Sequence, residues 1–270
     1  MTGSGEAVEL SWPAEGVAQL TLSRGDTHNT LTDELISGLE RQLDDVDAGG
    51  ARVLIITGSG KTFCGGADIK LFTEPTSPFY RNARAIRDDY VVPIIRAFRR
   101  LREAPYATIA AINGAAFGGG CELALTCDFR LMSDRARIGL TEVRLGVLAG
   151  AGGVQTLAHL VGRAKALQIA LLGDQLSAAD ALACGLATEV HAADNLAGAA
   201  MALARRLLLC SPISVAETKR ALYRCDTVPP EEADRIALDA VLAAAAGPQW
   251  WEGTAAFAEK RPASFRVEER

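Results

Sequence analysis

Leu31, Leu35, Leu39, Leu43 and Val46 recur at intervals of four and three residues. That spacing predicts one apolar stripe of an amphipathic helix, for which Thr30 and Thr32 are both candidate N-caps. On either side lie runs of a different kind. Val17 to Leu22 (VAQLTL) reads as a strand, and Val53 to Thr57 (VLIIT) and Thr108 to Ile112 (TIAAI) read as buried strands. Strands separated by helical patterns predict parallel pairing and an α/β class. Pro75 and Pro78 mark a loop before a charged helical segment, Arg81 to Arg100. From about Asp194 the pattern is helical only, over Leu196 to Cys210, Val215 to Tyr223 and Glu231 to Ala246. Pro212, Pro229, Pro230 and Pro248 punctuate these helices. The chain therefore divides into 1–193, an α/β core, and 194–270, a helical region.

The stretch from Ala104 to Phe129 (APYATIAAINGAAFGGGCELALTCDF) is unusual in its charge. Between Glu103 and Asp128 it carries only Glu122. It is long enough to imitate a membrane span, but its glycines, Asn113 and Glu122 make it a poor one. A buried strand, a glycine turn and a buried helix fit better. A lone carboxylate in such surroundings is costly to bury, so its presence asks for a reason.

Two glycine-rich segments supply one. TGSGKT (Thr57 to Thr62) looks like a phosphate-binding loop, but the Walker pattern needs glycine where Ile55 stands. In its continuation, FCGGADIK, Gly65 and Gly66 let the backbone turn with N–H groups outward, and Ala67 leaves room for a ligand. A plain surface turn would read the same way. In NGAAFGGGCELAL, Gly118, Gly119 and Gly120 come directly before a helix whose first turn holds Glu122. Free N–H groups at a helix start form a site for an oxygen bearing negative charge. With a second donor from the Gly66–Ala67 turn they would make an oxyanion hole.

A third segment, IGLTEVRLGVLAGAGGVQTLAHLVG, places Glu142 among small and apolar residues, followed by Gly150, Gly152 and Gly153 at another helix start. Two carboxylates in one apolar cleft cannot both ionise easily, which splits them into an acid and a base. Adding water to a double bond needs that pair. A salt bridge to Arg144 or Arg137 is the alternative role for Glu142.

Composition narrows the choice. The 270 residues are 49% hydrophobic with a net charge of −5, so no global field attracts nucleic acid or an anionic membrane. The six cysteines form no C-x-x-C pair and the three histidines no ligand spacing, so no metal site is expected. Met1 to Leu10 has two glutamates and no basic n-region. Free thiols without a secretory signal predict a cytoplasmic protein.

Together the three segments resemble the crotonase superfamily, the enoyl-CoA hydratase/isomerase group, from about Val17 to Arg261. HNTLTDEL is similar to the family's N-A-L entry, TGSGKTFCGGADIK to its F-C-A-G-A-D signature and INGAAFGGGCELALTCD to its N-G-x-x-x-G-G-G-x-E-L signature. TEVRLGVLAGAGGVQTL resembles P-E-x-x-x-G-x-x-P-G-A-G-G, with Thr141 and Ala149 at the two prolines. Gly65, Thr30 and Thr156 also depart from the commonest forms.

The resemblance implies a spiral of β-β-α turns followed by a helical region that makes homotrimers or dimers of trimers. It implies an acyl-CoA substrate, no cofactor beyond the coenzyme A of that substrate, and hydration of a trans-2-enoyl-CoA. By position, the Ala67 and Gly119 N–H groups hold the thioester oxygen, Glu122 and Glu142 are base and acid, and Gly150 donates to the water. Gly66, Ala67, Asp68, Ile69 and Lys70 would line the coenzyme, with Lys260 as a C-terminal contact. Phe72, Phe79, Tyr80, Trp250 and Trp251 are candidates for the acyl pocket, or for packing. The same enolate chemistry also serves double-bond isomerases, hydroxycinnamoyl-CoA hydratase-lyases, for which Tyr80 or Tyr90 could bind a phenol, and thioester hydrolases. A non-catalytic CoA-binding relative is the remaining alternative.

Overall fold

A computed structural model describes residues 6–265. Strand β1 (Val8–Ala14) pairs antiparallel with β2 (Val17–Leu22). Helix α1 (Asp33–Ala48) starts after Thr32, whose hydroxyl accepts from Leu35 N–H and so serves as the N-cap. Leu31 thus lies outside the helix that its spacing suggested. It is fully buried and forms an isolated parallel bridge with Ala67 instead.

A repeating unit follows. β3 (Val53–Gly58) and β4 (Thr62–Cys64) lead through the short helix α2 (Lys70–Thr73) to a helical rod. The rod comprises α3 (Ala83–Ala85), a π-helical stretch (Ile86–Val91) and α4 (Val92–Glu103). The unit recurs as β5 (Ala107–Ile112), β6 (Ala115–Phe117) and α5 (Gly119–Thr126), then as β7 (Phe129–Ser133), β8 (Arg137–Gly139) and α6 (Gly153–Leu172). β9 (Leu176–Ser177), α7 (Ala178–Ala183) and β10 (Glu189–His191) complete the core. The first strand of each unit joins one sheet, ordered β1-β2-β3-β5-β7-β10, and the second joins another, ordered β4-β6-β8-β9. From β2 to β10 the larger sheet is parallel. The chain is therefore an α/β spiral of β-β-α turns: the alternation of patterns predicted the α/β class, and the resemblance implied the spiral.

The tail is helical: α8 (Leu196–Leu208), α9 (Pro212–Cys225), α10 (Pro230–Ala245) and α11 (Pro248–Glu259). The last of these was not legible in the sequence. Leu196, Ala200, Leu203 and Ala204 of α8 pack on Val17, Val53, Ile55 and Ile109, covering the outer face of the larger sheet. α9 is pinned by Lys219, whose Nζ pairs with Asp128 at 2.9 Å and donates to the Leu101 and Tyr106 carbonyls. Breaking such a buried pair from one side is costly, so it fixes the helix against the core. No single helix among the described residues is long and apolar enough to cross a membrane.

Asn29 determines how β4 reaches the site. It is fully buried, and its Nδ2 donates to the carbonyls of Ser59, Thr62 and Phe63 while its Oδ1 accepts from Arg24 N–H. One side chain thus satisfies the loop on which Gly65 and Gly66 follow. Replacing Asn29 with Ala leaves several buried backbone groups unpaired, each worth about 1–3 kcal/mol. Urea unfolding of that variant is expected to show a loss of roughly 3 kcal/mol or more.

Candidate active site

Two backbone turns meet at the start of α5. Gly66 has φ +86° and Gly118 φ +55°, in the region that favours glycine. A Cβ on Gly66 would stand 2.6 Å from the Phe117 carbonyl oxygen and 3.3 Å from Gly119 N. The Gly66–Ala67 turn therefore lies directly against the start of α5. Gly119 is the first residue of that helix, so no intrahelical acceptor exists for its N–H. Ala67 N–H makes no hydrogen bond to another described residue, because the bridge to Leu31 uses the neighbouring Gly66 carbonyl, 2.8 Å from Leu31 N. Among the described residues neither N–H has a partner, and the two turns that carry them are in contact.

Glu122 lies one turn into α5 and is 5% exposed. Its Oε1 accepts from the N–H groups of both Ala151 and Gly153, each at 2.8 Å. Those donors belong to the start of α6, where the A-G-A-G-G run leaves backbone N–H groups free. Burial pushes the Glu122 carboxyl up to about 7, with the Glu142 charge adding to the rise and the two N–H bonds opposing it. Near neutrality the group exchanges a proton readily, as a general base requires.

Glu142 opens a short 3-10 turn, Glu142–Leu145. Neither arginine alternative holds for it, since Arg144 pairs with Asp174 at 2.5 Å and Arg137 makes no salt bridge to Glu142. Its Oε2 is buried without a hydrogen-bond partner among the described residues. Burial raises its carboxyl above the usual range, opposed by its own backbone N–H and that of Thr141. The two glutamates face one place. A Cβ on Gly118 would be 3.1 Å from Glu142 Oε1, and a Cβ on Gly119 would be 3.9 Å from Glu122 Oε2. The Glu142 charge also helps raise the Glu122 carboxyl, so the two carboxyls lie near one another at the start of α5.

The other anticipated positions are distributed unevenly. Gly150 immediately precedes the Ala151 donor, and its N–H bonds to no other described residue. A Cβ there would stand 3.8 Å from Val91 Cγ1. Asp68, Ile69 and Lys70 lie at the rim beyond Ala67, with Asp68 Oδ1 accepting from Lys70 N–H at 3.0 Å. Lys260 is not brought to this loop within one chain. It caps α11 beside Arg261, in the tail whose Phe265 carbonyl accepts from Arg52, at the opposite end of β3 from the glycine loop. Trp250 and Trp251 are 50% and 64% exposed, so neither is enclosed in an acyl pocket of its own chain.

Phe72 and Phe79 do pack together, but their third partner is Tyr90 rather than Tyr80. The Tyr90 ring lies 5.2 Å from Phe72 and 5.6 Å from Phe79. Tyr80 is instead beneath Arg81. The Tyr90 hydroxyl donates to the Leu31 carbonyl at 2.8 Å and so is already engaged.

Ala151 and Gly153 were not expected as donors to Glu122, Gly153 having been read only as a helix start, and Leu31 and Asn29 were not expected to support the site. The free donors at the A-G-A-G-G helix start were the one available signal for the first two.

Comparison with known proteins shows the family. The enoyl-CoA hydratase/isomerase family profile matches residues 13–268. A probable enoyl-CoA hydratase of Mycobacterium tuberculosis is 35% identical over 252 residues, covering 92% of this chain and 94% of that protein. A probable mitochondrial enoyl-CoA hydratase of Dictyostelium discoideum is 33% identical over 249 residues, covering 91% and 86%. A crystal structure of enoyl-CoA hydratase from Bacillus anthracis superposes with a TM-score of 0.90 at 31% identity, over 97% of this chain and 100% of that one. Profile, relatives and fold converge: the chain belongs to the enoyl-CoA hydratase/isomerase family, the crotonase superfamily.

Proposed function

We propose that the protein hydrates trans-2-enoyl-CoA thioesters. The observation that carries this reading is a pair of carboxyls, Glu122 buried and Glu142 half-buried, both raised above the usual range and both set against the start of α5. Glu122 is oriented by two N–H groups, and Glu142 keeps an oxygen without a protein partner.

In this mechanism the thioester oxygen accepts from Ala67 and Gly119. Water oxygen bonds to the β-carbon as Glu122 takes a proton from it. The electrons of the double bond move onto the thioester oxygen, where the two donors stabilise the charge. Glu142, protonated, then delivers its proton to the α-carbon, and the carbonyl re-forms. Gly150 N–H would hold the water. Protein groups and water supply the whole reaction, with coenzyme A entering as part of the substrate.

Asp68, Ile69 and Lys70 would border the coenzyme. Leu238, Val241, Leu242, Trp250, Trp251 and Phe257 leave a large apolar area exposed on the tail, which supports assembly as a homotrimer or a dimer of trimers. In that assembly Lys260 would meet a neighbour's coenzyme. Six free cysteines suit a reducing cytoplasm.

Incubation with crotonyl-CoA is expected to bleach the absorbance of the conjugated thioester, with 3-hydroxybutyryl-CoA as the product. No loss of absorbance, or release of free coenzyme A, would overturn the hydratase reading. The engaged Tyr90 hydroxyl removes one of the two phenols on which an aromatic lyase would rely. Unchanged feruloyl-CoA is accordingly the expected result of the parallel incubation.

A further inference from the structure

Tyr90 sits in the middle of the charged helical segment Arg81 to Arg100, and its connections lead to both backbone turns. Its ring is 6% exposed, held edge-on by Phe72 and Phe79. Its hydroxyl donates to Leu31 O at 2.8 Å. Leu31 then reaches each half of the oxygen site. Its N–H donates to Gly66 O at 2.8 Å, fixing the peptide plane that precedes Ala67 N. Its side chain packs on Gly119, since a Cβ there would lie 2.5 Å from Leu31 Cδ1.

Leu31 is not held by helix α1, because it lies before the Thr32 cap. Its orientation therefore depends on what it touches, and the phenol is a fixed hydrogen-bonding partner. Burial, with the nearby carboxylates of Asp68, Asp33 and Glu122, holds the phenol well above its usual range, so it stays a neutral donor. The stretch that carries it is π-helical, from Ile86 to Val91, a form found most often as a local insertion near functional sites.

We propose that Tyr90 is a positioning residue for the oxyanion hole, acting through Leu31 to set the relative placement of the Ala67 and Gly119 N–H groups. This rests on the hydratase reading above. Bound thioester would be gripped by two donors whose spacing is governed by a hydroxyl that never touches substrate. Small misplacements of reacting groups cost large factors in rate, and a donor displaced by part of an ångström loses most in the transition state.

The test compares Tyr90→Phe with wild type and with Tyr106→Phe, which removes another tyrosine hydroxyl, bonded to Asp47 at 2.9 Å just before β5 and outside the glycine turns. The Tyr90→Phe variant is expected to lower kcat for crotonyl-CoA roughly tenfold with KM little changed. The red shift of bound 4-(dimethylamino)cinnamoyl-CoA, which reports polarisation of its thioester carbonyl, is expected to shrink in parallel. Tyr106→Phe should retain both. Should Tyr90→Phe fail to fold, Leu31→Ala must show the same split, because it removes the contact with Gly119.

Wild-type kcat and red shift in a folded Tyr90→Phe protein would overturn the proposal. Equal losses in Tyr106→Phe would overturn it too, by assigning the effect to the general loss of a tyrosine hydroxyl. Failure of the hydratase reading is separable, for it would appear as wild-type protein that leaves crotonyl-CoA unchanged.

Discussion

Glu122→Gln and Glu142→Gln are each expected to lower the kcat of hydration by about 10² to 10⁴-fold, the usual contribution of a positioned acid or base. Coenzyme affinity should be largely kept, because neither carboxylate faces the Asp68–Lys70 rim. The geometry makes the substitution at Glu122 clean. A glutamine Oε1 still accepts from Ala151 and Gly153, so the start of α6 stays in place while the basic oxygen is lost.

Stability then provides an independent reading. Burial raises the Glu122 carboxyl from its usual 4.5 to about 7, so the folded chain retains a proton that the unfolded chain has released. Between those two values stability falls as pH rises, and it levels off above the folded value. Glutamine does not titrate. The Glu122→Gln protein should therefore gain relative to wild type between pH 4 and pH 8, by up to about 3 kcal/mol. In wild type the same carboxyl must be ionised to accept a proton from water, so kcat/KM should rise through about pH 7. Urea unfolding and initial rates across this range check both. A variant as slow as predicted but less stable than wild type at pH 8 would mean that Glu122 holds structure.

Gly66→Ala should be nearly as damaging to rate, through a different route. Its φ of +86° disfavours any side chain, and the new Cβ would come within 2.6 Å of the Phe117 carbonyl oxygen. Relief requires the Gly66–Ala67 turn to move away from α5, which separates the two donors. Removing one oxyanion donor typically costs about 10² to 10³-fold in kcat. Gly50→Ala serves as the strain control. It also has positive φ, +67°, but a Cβ there meets nothing within 4 Å, and it lies between α1 and β3, away from the cleft. Steady-state kinetics should show the loss in Gly66→Ala and wild-type turnover in Gly50→Ala.

The sequence was most legible where burial makes long, uniform patterns. β2, β3 and β5 announce themselves because a parallel sheet covered on both faces leaves little room for polar residues. The helix starts carrying Gly119 and Gly153 were visible because glycine runs and free N–H groups go together. β1 was hidden: it is an edge strand with Trp12 partly exposed and Pro13 in its run, so its alternation is weak. β4, β6 and β8 are three residues each, too short for any period to show. Leu31 deceived because it continues the spacing of α1 while belonging to a bridge with Ala67. Asn29 and Tyr90 act through carbonyls some 30 to 59 residues away, which no local pattern encodes. Gly253 and paired tryptophans concealed α11 after Pro248.

The central claim concerns where a thioester would lie, and a crystal structure with bound acetoacetyl-CoA addresses it most directly. The account predicts the thioester oxygen about 2.7–3.1 Å from both Ala67 N and Gly119 N, with the β-carbon facing the carboxyls of Glu122 and Glu142. A carbonyl oriented away from those nitrogens, or an acyl group remote from either glutamate, would contradict it.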